Sequence, residues 1–324
     1  MSAPAVPAAT AAGRIGRGRS RAGIDRFGSL VEGAFRTHAV LAYAFLYLPI
    51  VIVIAFAFNA NRLATIWTGF STDWFGVALG NSVVQAALRN SLIVAVANAV
   101  LATLFGTMAA LGLQRVPKRL RIVFDALTYV SIIVPEIVIA LATLVFFASV
   151  FDVVNPFLLG LQGGTPGAFK LSFGHATIVA AHVLFNTSLV LLLVRARLSG
   201  MDRTMVEASY DLFATPWRTF RQITFPQLLP AVVAGFLLAF TFSFDDYVIT
   251  TFVSGPGSST LPLYVFGQIK RGVSPETNAV AAMIFAFTIG VLLVGQVLLL
   301  WQARRSGRRG ASDASLSGMI AEQR

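Results

Sequence analysis

Cysteine is absent from all 324 residues, so disulfide bonds and cysteine-ligated metal sites are excluded. Charged residues are also scarce: they make up 12% of the chain, against 56% hydrophobic residues, and the mean hydropathy is +0.76. A soluble protein of this length could not bury so many apolar side chains. The composition therefore predicts a polytopic membrane protein. Because a membrane helix satisfies its own backbone hydrogen bonds, we expect an all-α fold.

Motifs for nucleotide binding and hydrolysis are absent too. None of the lysines, Lys118, Lys170 and Lys270, follows a glycine, so there is no G-x-x-x-x-G-K-[ST] phosphate loop. The sequence also contains no H-E-x-x-H and no G-x-S-x-G. We therefore predict a chain that is not an enzyme and binds no ATP, metal or other cofactor itself. His175 and His182 fall on one face of a predicted helix that has no carboxylate, which favours hydrogen bonding or packing over metal binding.

Several apolar segments have the roughly 20-residue length that crosses a bilayer. The six predicted spans are residues 38–60, 91–113, 123–149, 174–194, 227–252 and 277–301. Together they form a predicted membrane domain over residues 38–301. The flanking residues 1–37 and 302–324 are rich in arginine, and we expect residues 1–37 to be a mostly disordered basic tail.

The positions of the basic residues predict the orientation of the spans. Twenty of the 25 Lys and Arg residues lie in the two tails and in the loops after the second and fourth spans. The positive-inside rule places both tails and these loops in the cytoplasm. Attraction to anionic inner-leaflet lipid then accounts for the net charge of +11, so nucleic acid is disfavoured as a partner.

The loop at residues 195–230 is polar and carries signals for two short helices. Residues 206–214 are predicted to form the first helix. Thr215 is a suitable N-cap and Pro216 suits the first position of a second helix, where its missing N–H costs nothing. Pro226 marks the entry into the fifth span. We expect a compact helix-turn-helix that docks a partner, and the alternative is an ordinary amphipathic loop.

Carboxylates inside the predicted spans form a second candidate site. Glu136 lies near the middle of the third span, and Asp245 and Asp246 lie in the outer half of the fifth. Charged groups in a bilayer are costly and usually face a pore or a partner, so these residues predict a path for cations. The alternative is that Glu136 caps a broken helix and that the aspartates bind backbone N–H groups. Adjacent helical side chains diverge by about 100°, so we expect one aspartate to face the path.

The loop resembles the EAA loop of binding-protein-dependent ABC importer permeases, whose pattern is Glu-Ala-Ala, three residues, Gly, nine residues, Ile, one residue, Leu-Pro. The matching positions are Glu207, Ala208, Ser209, Phe213, Ile223, Phe225 and Pro226. Phe213 replaces a Gly that would allow a left-handed turn. The resemblance implies coupling to an ATPase through Glu207, Ala208, Ser209, Asp211, Phe213 and Pro226.

Other segments resemble the spermidine/putrescine importer permeases, in particular the second permease of the pair. They include Val134-Pro135-Glu136-Ile137-Val138, Ser243-Phe244-Asp245-Asp246-Tyr247-Val248-Ile249 and Gly272-Val273-Ser274-Pro275-Glu276. The likeness covers roughly residues 38–301 and implies a type I ABC importer permease (MetI-like) fold in a bacterial inner membrane. It implies a substrate path at Glu136, Asp245, Asp246 and Tyr247.

The same resemblance implies three partners. They are a homologous second permease, a periplasmic substrate-binding protein, and an ABC ATPase dimer that holds ATP and Mg²⁺. Within this interpretation another small amine, an amino acid or ferric iron could replace the polyamine. Outside it, the chain could be a secondary transporter driven by an ion gradient, or a structural or signalling subunit.

Overall fold

The structure is a computed structural model that describes residues 18–62, 66–163 and 169–321, with side chains for residues 31–62, 66–163 and 169–301. These residues are almost entirely helical, and their isolated β-bridge joins Asn59 and Phe70. The helices are α1 (Gly18–Ala57), α2 (Asp73–Gly80), α3 (Ser82–Gly112), α4 (Lys118–Ile133), α5 (Glu136–Leu161), α6 (His175–Ser199), α7 (Thr204–Asp211), α8 (Pro216–Thr219), α9 (Phe225–Phe244), α10 (Val248–Val253), α11 (Leu261–Arg271) and α12 (Pro275–Ala321). The predicted all-α fold is confirmed.

Within the described residues, six helical segments are long and apolar enough to cross a membrane. They are Val31–Ala57, Ser82–Gly112, Glu136–Leu161, His175–Ser199, Pro216–Phe244 and Pro275–Trp301. The predicted number of spans is therefore confirmed. Several predicted boundaries are wrong. The first and second spans begin earlier than residues 38 and 91, since α1 begins at Gly18 and α3 at Ser82. The third and fifth spans differ most, and prolines account for much of the difference.

The third predicted span, residues 123–149, is broken at a proline. Val134 has an extended backbone with ψ of 130°, because the ring of the following Pro135 disfavours the helical conformation there. The chain therefore forms α4 and α5 as separate helices. Glu136 is the first residue of α5 and not the middle of a span, so its predicted position was wrong.

The fifth predicted span, residues 227–252, is displaced toward the N-terminus. Its helical backbone starts at Pro216 and passes through a π-helical turn, Phe220–Thr224, into α9. Because Pro226 donates no backbone hydrogen bond, a wide turn just before it is an expected local adjustment. The helix ends at Phe244, before the two aspartates, and α10 follows as a separate element.

The first helix belongs to a unit of its own. The chain divides between Ala55 and Phe56, and the first unit contains most of α1. Residues 18–37 are helical, so the predicted disorder of residues 1–37 is wrong for that part, while residues 1–17 lie outside the described residues. Extending an existing helix is inexpensive, and an Arg36–Glu32 ion pair of 2.5 Å, four residues apart, adds local support.

The core of the second unit is a close packing of α3, α6 and α9. Val190 of α6 fits against glycines on both neighbours: a Cβ atom on Gly106 would lie 2.8 Å from the Val190 side chain, and one on Gly235 would lie 3.2 Å from it. Small residues let membrane helices approach in this way. The Asn98 side-chain amide also donates to the carbonyl oxygen of Ala239 over 2.9 Å, which ties α3 to α9. This rigid core supports both candidate sites.

Candidate functional site

The loop between α6 and α9 is a helix-turn-helix, as predicted. At the start of α7 the Asp202 carboxylate accepts from the Thr204 N–H over 2.9 Å, and hydrogen bonding from Thr204 lowers the pKa of this carboxyl group. At the start of α8, Thr215 is the N-cap, its hydroxyl accepts from the Arg218 N–H over 3.4 Å, and Pro216 is the first helical residue. The predicted start of α8 is confirmed and follows from side-chain capping. The first helix, predicted over residues 206–214, is wrong in its bounds, because α7 runs from Thr204 to Asp211.

A left-handed residue ends α7. Phe213 has φ of 56° and is the non-glycine residue with positive φ in the described part of the chain. Its N–H donates to the Tyr210 carbonyl over 2.9 Å, while the Ala214 N–H donates to the Ser209 carbonyl over 3.0 Å. These bonds form a Schellman motif, which ends a helix and usually places glycine at the left-handed position. In the resembling loop pattern this position is Gly, and Phe was expected to resist a left-handed turn. Phe213 nevertheless adopts it.

Ser209 faces the interior of the loop. Its hydroxyl lies 2.9 Å from the hydroxyl of Thr219, and both residues are buried, so it connects α7 to α8. Ser209 therefore packs against its own chain and is not available as a docking face beside Ala208. Ala208 and Glu207, the two residues before Ser209, are exposed. Asp211 is also exposed, and the roles predicted for these three residues stay predictions.

The two aspartates after α9 have opposite environments. Asp246 is buried, 8% exposed, and its Oδ1 accepts from both the N–H and the hydroxyl of Thr250 over 2.8 Å. His182 Nε2 lies 3.0 Å from the same oxygen, and His182 Nδ1 lies 2.7 Å from the Ser243 hydroxyl. With Nε2 protonated, the ring donates to Asp246 and accepts from Ser243. We call Asp246, His182, Ser243 and Thr250 the buried polar cluster.

In this cluster Asp246 acts as a helix cap. Its Oδ2 also accepts from the Ile249 N–H over 3.4 Å, so the carboxylate holds the first turn of α10. This is the alternative that the sequence left open for the aspartate pair. The histidine partner was missed, because His182 and Asp246 are 64 positions apart and no local spacing signals their contact.

Asp245 is exposed and lines an open groove of about 580 Å³. Tyr247 lines the same groove and stacks on Phe266, with the ring centroids 3.8 Å apart. The remaining walls come from α11 and α12 and are apolar except for Thr288. The groove therefore combines one accessible carboxylate with aromatic and aliphatic surface.

Glu136 lines a second cavity, which includes Asp246 and not Asp245. The exposed Glu136 at the start of α5 shares a small cavity with His182 and Asp246. The cavity is otherwise lined by Phe185, Asn186, Phe242 and Ile249. The break at Pro135 and the break after Phe244 thus bring predicted path residues from two helices together. Within the described residues, no group of three His, Asp or Glu side chains is arranged to hold a metal ion.

An ion pair that the sequence did not indicate joins α4 to α6. The two terminal guanidinium nitrogens of Arg195, Nη1 and Nη2, donate to the two carboxylate oxygens of Asp125, and the Nη2–Oδ2 distance is 3.0 Å. This bidentate geometry is the strong form of an Arg–carboxylate pair. Since Arg195 lies in the last turns of α6, the pair attaches α4 close to the helix-turn-helix loop.

These features define a multi-pass helical membrane protein in which a capped helix-turn-helix joins two spans. Residues 102–308 match the family described as binding-protein-dependent transport system inner membrane component. The chain belongs to this family, and it is therefore a multi-pass component of an inner-membrane transport system.

Two relatives from Escherichia coli (strain K12) cover most of the chain. The putrescine transport system permease protein PotI is 36% identical over 271 residues, which are 83% of this chain and 91% of the relative. The spermidine/putrescine transport system permease protein PotC is 35% identical over 271 residues, 84% of this chain and 94% of the relative. A chain from a bacterial ABC transporter involved in alginate import shares the fold, with a TM-score of 0.62 over 89% of this chain and 99% of that chain at 16% identity.

Proposed function

We propose that this chain is a permease subunit of an ATP-driven importer that carries polyamines from the periplasm to the cytoplasm. The observation that carries the proposal is the 36% identity, over 91% of its length, to a relative named as a putrescine permease. The chemistry of the accessible residues supports it. A polyamine alternates ammonium groups with short methylene chains, and Asp245 lies beside aromatic and aliphatic surface in one groove.

Three partners complete the proposed importer. A second, homologous permease pairs with the six spans of this chain to enclose the path. An ABC ATPase dimer holds ATP and Mg²⁺, for which this sequence has no phosphate loop. A periplasmic binding protein delivers the substrate. The distribution of Lys and Arg supports cytoplasmic termini and a cytoplasmic helix-turn-helix, where the ATPase can reach it.

The helix-turn-helix is the proposed coupling element. Glu207 and Ala208 form the exposed face that contacts the ATPase, while the Ser209–Thr219 contact keeps α7 and α8 together as one body. The helical backbone continues from α8 into α9 at Pro226. Movement of the loop on ATP binding and hydrolysis therefore reaches the membrane helix that ends at the aspartate pair.

In the proposed path, the cation meets Asp245 and Tyr247 in the open groove and Glu136 in the second cavity. Asp246 contributes mainly by capping α10 and by holding His182, which fixes the geometry of the break. The chain changes no covalent bonds. It supplies a surface on which ammonium groups exchange water for carboxylate and aromatic contacts.

Uptake by a reconstituted importer tests this function. Vesicles containing this chain, the second permease and the ATPase, with binding protein outside and ATP inside, should accumulate labelled putrescine. Unlabelled spermidine should compete, whereas a dicarboxylate of similar length should not. The proposed substrate would be overturned if the vesicles accumulated the dicarboxylate, or if putrescine did not accumulate and spermidine did not compete.

A further inference from the structure

Two adjacent apolar side chains stand out at the turn between α7 and α8. Phe213 is 96% exposed, more than any other large apolar residue in the described part of the chain, and Leu212 is 82% exposed. Neither residue lies in a segment that could span a membrane. The Phe213 ring is therefore not buried by its own chain, so packing within the chain does not explain an apolar residue at this position.

The backbone at Phe213 is unfavourable as well. A left-handed conformation is uncommon for any residue with a Cβ atom and is an outlier for a bulky one. The Schellman hydrogen bonds around Phe213 hold the turn without using the phenyl ring. Strain of this kind concentrates at functional positions, so the combination of strain and exposure points to a contact outside the chain.

The charges around the pair indicate what kind of surface it meets. In residues 200–225, Arg203, Arg218 and Arg221 are balanced by Asp202, Glu207 and Asp211. A segment that binds a membrane surface needs an excess of basic residues to attract anionic lipid. Protein interfaces instead combine a buried apolar or aromatic anchor with a polar rim of mixed charge.

We infer that Leu212 and Phe213 form an apolar anchor that inserts into an apolar cleft of the ATPase subunit, beside the face formed by Glu207 and Ala208. The inference rests on the proposed coupling function. It assigns the docking energy largely to a side chain at a position where the related loops have glycine. The left-handed turn keeps the ring away from its own chain and available to the partner.

Replacing Phe213 by glycine or asparagine removes the apolar anchor but keeps the left-handed turn. Both residues adopt the left-handed conformation readily, so Phe213→Gly and Phe213→Asn should leave the thermal stability of the purified permease unchanged or raised. Each removes the phenyl ring, and we expect ATPase binding to the permease in vesicles to weaken by on the order of tenfold. Unchanged binding by both variants would overturn the inference. Phe169→Ala, at another exposed phenylalanine in a different loop, is the matched control and should bind ATPase normally.

Cysteine labelling tests which surface covers the anchor. Because the chain has no native cysteine, Phe213→Cys and Phe169→Cys each provide one thiol for a water-soluble maleimide. In open membrane fragments we expect rapid labelling at position 213 that becomes several-fold slower when ATPase is added. Labelling at position 169 should not change. Slow labelling at position 213 without ATPase would overturn the inference in favour of a lipid contact.

Ala208→Glu distinguishes failure of the anchor from failure of the coupling function. If Ala208→Glu abolishes ATPase binding while both variants at position 213 bind normally, the loop couples but the anchor is refuted. If none of these variants changes ATPase binding, the proposed coupling function is refuted with it. Loss of binding in all of them supports both.

Discussion

The helix-turn-helix and the buried polar cluster differ in whether their side chains find contacts within their own chain. In the cluster, Asp246 is buried and receives hydrogen bonds from Thr250 and His182 of its own chain. In the helix-turn-helix, Phe213 is almost fully exposed and Ala208 faces outward. The cluster is thus complete within one subunit, whereas the loop leaves its apolar surface for a partner. Substitutions in the cluster should therefore act on folding, and those on the loop surface should act on assembly.

The largest expected effect is at the loop surface. Ala208→Glu places a charge in the proposed ATPase interface, and a buried unpaired charge costs several kcal/mol. We expect ATP-driven putrescine uptake to fall on the order of 100-fold, with membrane insertion and thermal stability intact. Ala208→Ser is the control, because serine is uncharged and close in size to alanine, and it should retain most uptake. A loss of thermal stability without a loss of uptake would contradict the contrast between the loop surface and the buried polar cluster.

The buried polar cluster should respond through stability. Asp246→Asn removes charge-assisted hydrogen bonds to Thr250 and His182 and should lower the free energy of unfolding by about 1.5–3 kcal/mol. The neighbouring Asp245→Asn makes the same chemical change at an exposed position and should shift it by less than about 0.5 kcal/mol. Thermal unfolding of the purified protein in detergent measures both. Equal shifts for the two variants would contradict the different environments assigned to them.

Path carboxylates should affect transport more than folding. Asp245→Asn and Glu136→Gln each remove an accessible charge, which is worth about 1 kcal/mol to a passing cation, so uptake should fall roughly fivefold. Initial uptake rates over a range of putrescine concentrations measure the effect, which we expect mainly in KM. Normal kinetics in both variants would show that the path lies elsewhere.

The smallest expected effect is inside the loop. Ser209→Ala removes the hydroxyl contact with Thr219 that connects α7 to α8 and should cost about 1 kcal/mol locally. Hydrogen exchange of the α7 amides should become faster, while uptake falls no more than severalfold. Unchanged exchange in α7 would mean that the two short helices are held together by other contacts.

The sequence predicted the features that depend on local chemistry. The number of spans follows from apolar length, and the start of α8 follows from Thr215 and Pro216. Pro135 was visible too, but it was placed inside the third span. The apolar run before Pro135 gives no sign that this proline separates two helices.

Features that depend on distant contacts could not be predicted from local patterns. His182 and Asp246 are 64 positions apart in the sequence, and Arg195 and Asp125 are 70 positions apart. The burial of Ser209 depends on how α8 folds back onto α7. The left-handed Phe213 shows the reverse case, in which tertiary context and helix-end hydrogen bonds override a local preference.

The central claim is that a separate ATPase moves the helix-turn-helix to drive transport. Omitting only the ATPase from vesicles that otherwise accumulate putrescine, while retaining both permeases, binding protein and ATP, tests it most directly. We predict no accumulation above the external concentration under an imposed ion gradient or without one. Uphill accumulation in these ATPase-free vesicles would contradict the claim.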